Sequence, residues 1–157
     1  MKARGFTLIE LIVVIVILGI LAATAVPKFV NFEVEAKTAT LEAIKASMEG
    51  ASALVHGKSL VKGNHKLGSG DSPTVDIGNG VTLDIIYGYP RSNIVDWQNK
   101  LLDIDLNVYA LTTTIDGALV IYFKGETTPV SSLQPCLTYY KAPGLGNRPT
   151  VGVNPCT

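Results

Sequence analysis

A chain of 157 residues has room for one domain of ordinary size and hardly for two. Its 13 basic and 13 acidic residues give a formal net charge of +0, which argues against an electrostatic nucleic-acid binder, a task that needs surplus Lys and Arg facing phosphates. The mean hydropathy of +0.32 is high for a soluble domain. The apolar residues crowd into the first 26 positions, so that end is meant for lipid or for a packed helical interior.

Residues 1–5, Met-Lys-Ala-Arg-Gly, are a short basic head. Residues 6–26 are apolar except for Thr7, Glu10 and Thr24, and about 20 residues at 1.5 Å rise cover the ~30 Å of a bilayer core. Lys2 and Arg4 in front of the run keep the N-terminus cytoplasmic. A secretory signal would end in a small-x-small cleavage site, which Ala22-Ala23-Thr24-Ala25 imitates, but its apolar core would be shorter and would hold no carboxylate such as Glu10. From Lys28 to Val55 the apolar residues Val34, Leu41, Ile44, Met48, Ala51 and Val55 recur at threes and fours, with Glu35, Glu42, Lys45 and Glu49 between them. This is the pattern of an amphipathic helix. One helix therefore spans residues 6–55, and Pro27, which lacks the N–H that would bond Ala23, permits a bend where its two halves join.

Residues 56–80 are rich in Gly, Ser, Asn and Lys and read as a long surface loop. Residues 81–89 read as a strand, and residues 93–102 as a short helical turn with Trp97 and Leu101 facing inward. Two β-rich runs, 106–114 and 118–124, flank Asp116-Gly117, a hairpin signal; residues 137–141 are a further strand. Cys136 and Cys156 lie in a Gly/Pro/Asn-rich tail, and a disulfide closing that loop fits them better than two free thiols, which implies an oxidising compartment. The expected fold class is α+β: a long N-terminal helix packed on a roughly four-stranded antiparallel sheet with a C-terminal disulfide loop.

Catalytic and metal motifs fail on inspection. Gly70-Asp71-Ser72 has no base except His56 and His65 in the same loop, and those two histidines lack a third ligand at metal spacing. In the calcium-like run Asp103-Ile104-Asp105, Val108 stands where the loop glycine belongs and Thr114 where the bidentate glutamate belongs. Gly144-Leu145-Gly146 lacks the strand and helix of a dinucleotide fingerprint. The expectation is a non-enzyme without cofactor or metal.

The chemistry concentrates at Gly5-Phe6-Thr7-Leu8-Ile9-Glu10. A carboxylate in hydrocarbon costs several kcal/mol, so Glu10 needs a cation, and residues 6–26 hold none. Cutting the chain after Gly5 would create an α-amino group at Phe6, one helical turn before Glu10, that a neighbouring copy could offer at the same membrane depth. These residues, with the apolar run, Gly19 and Pro27 behind them, resemble the class III signal of type IV prepilins. The resemblance implies cleavage after Gly5 by a prepilin peptidase, N-methylation of Phe6, pairing of Glu10 with the adjacent subunit's amine, and a helix bend at Pro27. It further implies a ladle-shaped subunit divided into a leader (1–5), a filament-core or transmembrane segment (6–27) and a globular part (28–157). The globular part would comprise a helix half (28–55), an αβ-loop (56–80), a sheet region (81–135) and a disulfide-bounded region (136–157).

With the short leader, the resemblance implies the type IVa group. More narrowly, Tyr87-Gly88-Tyr89-Pro90 and residues 133–140 resemble the major pilins of mannose-sensitive haemagglutinin pili of marine gamma-proteobacteria. The implied role is a major pilus subunit for adhesion and biofilm attachment, with a type II secretion pseudopilin or a minor pilin as the alternative. Implied partners are copies of itself in a helical homopolymer, the prepilin peptidase, the inner-membrane assembly machinery, and host or abiotic surfaces, with no nucleic acid. The implied location is the inner membrane and then the extracellular pilus of a Gram-negative bacterium.

Overall fold

The computed structural model describes residues 5–157, and of residues 25–31 the backbone alone. The leader expected over residues 1–5 thus lies outside the described residues except for Gly5. A single helix, α1, spans Leu8–Lys62. The chain divides into two compact units, Met1–Ala36 and Lys37–Thr157. In the first, the side chains from Leu8 to Thr24 are exposed all round the helix. Among the described residues no helix is long and apolar enough to cross a membrane.

In the second unit α1 buries one line of residues seven apart, Leu41, Met48 and Val55, each at most 1% exposed, as the spacing predicts. The line continues past the expected end of the helix: Ser59 is fully buried, and its hydroxyl donates to Asn64 Oδ1 at 2.8 Å. Residues 56–62, expected as loop, are helix because this stripe holds them while Gly57 and Lys58 face solvent. The true stop is Gly63, at φ +76°; its N–H donates to Leu60 O at 3.1 Å and that of Asn64 to Ser59 O at 3.2 Å. This is a Schellman cap, which a left-handed glycine makes without strain.

Two antiparallel sheets follow. β1 (Thr74–Gly78), β2 (Val81–Ile86) and β3 (Tyr89–Pro90) form one of three strands in that order. Strand β1 lies within the stretch expected as loop. Val75 alternates inward with the packing of Ile77, and Asn79-Gly80, at φ 52° and 74°, closes the β1–β2 hairpin with both residues left-handed. Val55 of α1 meets Val75, Leu83 and Ile85 there. Lysines from the last turns of α1 cover the outer edge of β1: Lys62 Nζ donates to Thr74 O at 2.7 Å and Lys58 Nζ to Asp76 O at 3.1 Å.

The second sheet has four strands, β4 (Tyr109–Thr113), β5 (Leu119–Phe123), β6 (Leu137–Lys141) and β7 (Thr150–Asn154), paired in chain order. Strands β4 to β6 lie in the expected runs, whereas the single strand expected over residues 81–89 belongs to the first sheet, where the left-handed Tyr87-Gly88 turn divides it into β2 and β3, and β7 takes its place in the tail expected as a disulfide loop. Strand β4 starts later than expected because Asp105 Oδ1 accepts from the Asn107 N–H at 2.8 Å, turning residues 105–108 away from the ladder. Between the sheets, α2 (Ile94–Asp96) opens with Asn93 as its cap and widens into a π turn over Trp97–Leu101. Trp97 is fully buried as expected and packs with Met48, Leu119, Ile121 and Tyr140 into the main core. The Trp97 Nε1–H donates to Arg91 O at 2.8 Å. The Tyr140 hydroxyl donates to Pro90 O at 2.8 Å, and burial pushes its phenol pKa up. Tyr140→Phe leaves the Pro90 carbonyl without this donor, and urea unfolding should show a loss of about 1–2 kcal/mol.

The β4–β5 hairpin is locked from outside. Its loop is Ile115-Asp116-Gly117, with Gly117 left-handed at φ 75°. Asp116 Oδ2 accepts from Ser132 Oγ at 2.6 Å and Oδ1 from the Ser132 N–H at 3.3 Å, and these bonds, the Ser132 hydroxyl first and the Thr114 hydroxyl next, hold the carboxyl pKa at about 2. A depressed carboxylate stabilises above its unfolded pKa of 3.8 and ceases to do so as pH falls through about 2. Unfolding scans between pH 5 and 2 should therefore show a loss of stability on acidification that is smaller in Asp116→Asn.

Candidate processing and assembly site

The expected site residues fall in two places. Gly5 lies in non-helical backbone directly before α1, and a side chain added there would meet nothing within 4 Å. Phe6 is 85% exposed. Both residues are thus solvent-accessible and lie outside the helix.

The helix start that follows is closed by bonds within its own chain. Thr7 Oγ1 accepts from the Glu10 N–H at 3.3 Å, while Glu10 Oε2 accepts from the Thr7 N–H at 2.9 Å and from the Thr7 hydroxyl at 2.7 Å. This is a capping box, and its sequence signal, Thr-x-x-Glu before an apolar run, stands at residues 7–10. Glu10 thus serves its own helix start in the single chain. It is also exposed, so the same carboxylate is open to a second chain.

Pro27 lies inside α1, whose helical backbone continues through it; its side chain lies outside the described residues. The C-terminal pair is joined as expected: Cys136 and Cys156 form a disulfide, and among the described residues no cysteine is free. The bridge brackets β6 and β7, the Cys136 N–H donates to Pro155 O at 3.1 Å, and the Cys156 N–H donates to Thr38 Oγ1 at 3.1 Å. The chain end is thereby tied to α1 within the second unit. Among the described residues no group of three or more His, Cys, Asp or Glu could hold a metal ion.

Comparison with known proteins bears on the first of these places. The model of the prokaryotic N-terminal methylation motif matches residues 1–26. The chain is 52% identical over 54 residues to the type IV narrow pilus major component PilA5 of Thermus thermophilus, covering 34% of this chain and 47% of that protein. It is 59% identical over 36 residues to the type IV major pilin protein PilA of Myxococcus xanthus, covering 23% and 16%. It is 36% identical over 94 residues to the type IV major alpha-pilin of Moraxella bovis, covering 59% and 55%. The chain thus spans about half or less of the length of these curated relatives. No solved structure matches. The methylation motif, the similarity to proteins named type IV pilins, and a long N-terminal helix joined to antiparallel sheets with a C-terminal disulfide together support a type IV pilin.

Proposed function

We propose that this chain is the major structural subunit of a type IVa pilus, a surface filament for adhesion and biofilm attachment. The observation that carries the reading is the start of α1: Gly5-Phe6 in exposed, non-helical backbone, then Glu10 in the first turn of a helix whose apolar side chains from Leu8 to Leu21 are 46% exposed or more. So much bare apolar surface in one chain requires lipid or other helices around it. In this reading residues 6–27 are held in the inner membrane of a Gram-negative bacterium until a prepilin peptidase cuts after Gly5 and Phe6 is methylated. The assembly machinery then moves the subunit into a helical homopolymer, where Glu10 meets the Phe6 amine of the adjacent copy and Pro27 bends the helix, and the finished filament meets host or abiotic surfaces.

Deleting the chain from its source cells tests the reading. The expected result is loss of the abundant surface fibres together with loss of attachment to surfaces. Fibres persisting at normal abundance would make it a minor pilin or a pseudopilin instead.

A further inference from the structure

At the end of α1 in the second unit lies a cavity of about 470 Å³ that the filament reading does not use. Its walls include His56, His65, Lys66, Tyr87, Tyr89 and Arg148, brought from α1, the segment after it, the β2–β3 hairpin and the β6–β7 loop. A second cavity of about 610 Å³ shares His56, Tyr89 and Arg148 as walls and has Glu49 as a further one. The volumes fall within the ~300–1,000 Å³ of small-molecule sites.

Two local features, the Tyr87 backbone and the His65 ring nitrogen, are poor choices for stability alone. Tyr87 and Gly88 form the β2–β3 turn with φ 49° and 84°, so a bulky aromatic occupies a left-handed position that Asn, Asp or Gly would fill without strain. A Cβ at Gly88 would lie 2.8 Å from His56 Nδ1 and 3.0 Å from His65 Cβ, so the missing side chain is what lets both histidines close on the turn. The His65 Nδ1 is buried with no hydrogen-bond partner among the described residues. Strained backbone and unsatisfied polar atoms gather where a ligand is held.

The chemistry of the walls selects the ligand class. Tyr89 stacks on His56 with ring centroids 4.2 Å apart and planes 3° from parallel, so one face of its ring is taken, and Tyr87 lines the same cavity. Aromatic rings in a cavity wall are the side chains that pack against the apolar face of a sugar ring. Lys66 and the exposed guanidinium of Arg148 supply positive charge, and neither Asp nor Glu is among the residues lining the first cavity. Arg148 can grip a carboxylate with two parallel N–H bonds. We infer that this cavity binds an acidic saccharide, a sugar ring stacked on the tyrosines with its carboxylate on Arg148. The inference stands on the second unit alone and does not rest on filament assembly.

Titration of the full chain in detergent micelles with digalacturonate, and with its neutral analogue galactobiose, tests it. Digalacturonate should bind saturably and at least about tenfold more tightly than galactobiose, and Arg148→Ala should remove that advantage while leaving the thermal melt unchanged. Lys66→Ala, also at an exposed position, should weaken digalacturonate in the same direction. Absence of saturable binding, equal affinity for the two disaccharides, or indifference to both substitutions would overturn the proposal. So would inorganic sulfate binding as tightly as digalacturonate, which would reduce the cavity to a site for any small anion.

Discussion

Replacing Glu10 with Gln should lower the yield of assembled fibres at least about tenfold while leaving cleavage after Gly5 intact, because the lost quantity is a charge pair inside hydrocarbon. The capping box makes this the informative substitution. Gln at the third helical position still reaches back to the N-cap N–H, so Glu10→Gln keeps the helix start and removes only the negative charge. Thr7→Ala does the reverse: it removes the hydroxyl that accepts from the Glu10 N–H at 3.3 Å and leaves the carboxylate. That loss costs the helix about 1 kcal/mol and should leave fibre yield near normal. Glu10→Ala loses both functions. Fibre counts on sheared material, with cleavage read by mass, separate the cases. A normal yield from Glu10→Gln, or a collapse equal to it from Thr7→Ala, would mean that the carboxylate acts through the cap and not through a neighbour's amine.

The second large effect belongs to the Cys136–Cys156 bridge. The two residues are 20 apart in sequence, and closing a loop of that size stabilises by about 3 kcal/mol on the chain-entropy model. Paired substitution Cys136→Ser with Cys156→Ser should lower the unfolding free energy by about that amount in urea titrations. Proteolysis should then begin in residues 142–157, since β7 is an edge strand paired on one side only and the Cys156 N–H bond to Thr38 Oγ1 is the tie that follows the bridge. A loss below about 1 kcal/mol would mean that the β6–β7 ladder holds the region without the bridge.

The long helix was legible in advance because Leu41, Met48 and Val55 repeat the 3.6-residue period over several turns, and tertiary packing had only to agree with it. Trp97 and the β4–β5 hairpin were legible for similar reasons. The Asp116-Gly117 signal marked the right turn, although its loop has three residues and places Gly117 alone in the left-handed region. What composition concealed was structure made from residues that usually break it. Strand β7 reads Thr-Val-Gly-Val-Asn between two prolines; Gly152 belongs there because a Cβ would lie 2.6 Å from the Tyr139 ring on the paired strand. Gly57 and Lys58 masked two further turns of helix, and the polar stretch after it masked β1, although Asn79-Gly80 is as strong a hairpin signal as Asp116-Gly117.

The candidate site was legible to a different degree. Gly5, Phe6 and Glu10 stand together in sequence, so their proximity needs no folding to predict. The reciprocal bonds between Thr7 and Glu10 add that the carboxylate has a duty inside its own chain besides its need for a partner cation in hydrocarbon. The cavity with Tyr87, Tyr89, His56 and Arg148 was out of reach, because its walls are separated by up to about ninety residues of chain and meet only through the β2–β3 hairpin and the β6–β7 loop.

The most direct test of the account is the intact mass, under non-reducing conditions, of this chain in material sheared from the surface of its source cells. The account predicts an abundant species beginning at Phe6, heavier by one methyl group and lighter by the two hydrogens lost in the Cys136–Cys156 bond. A full-length chain that keeps Met1, absent from the sheared fraction and present in membranes, would contradict it, and with it the roles assigned to Gly5, Phe6 and Glu10.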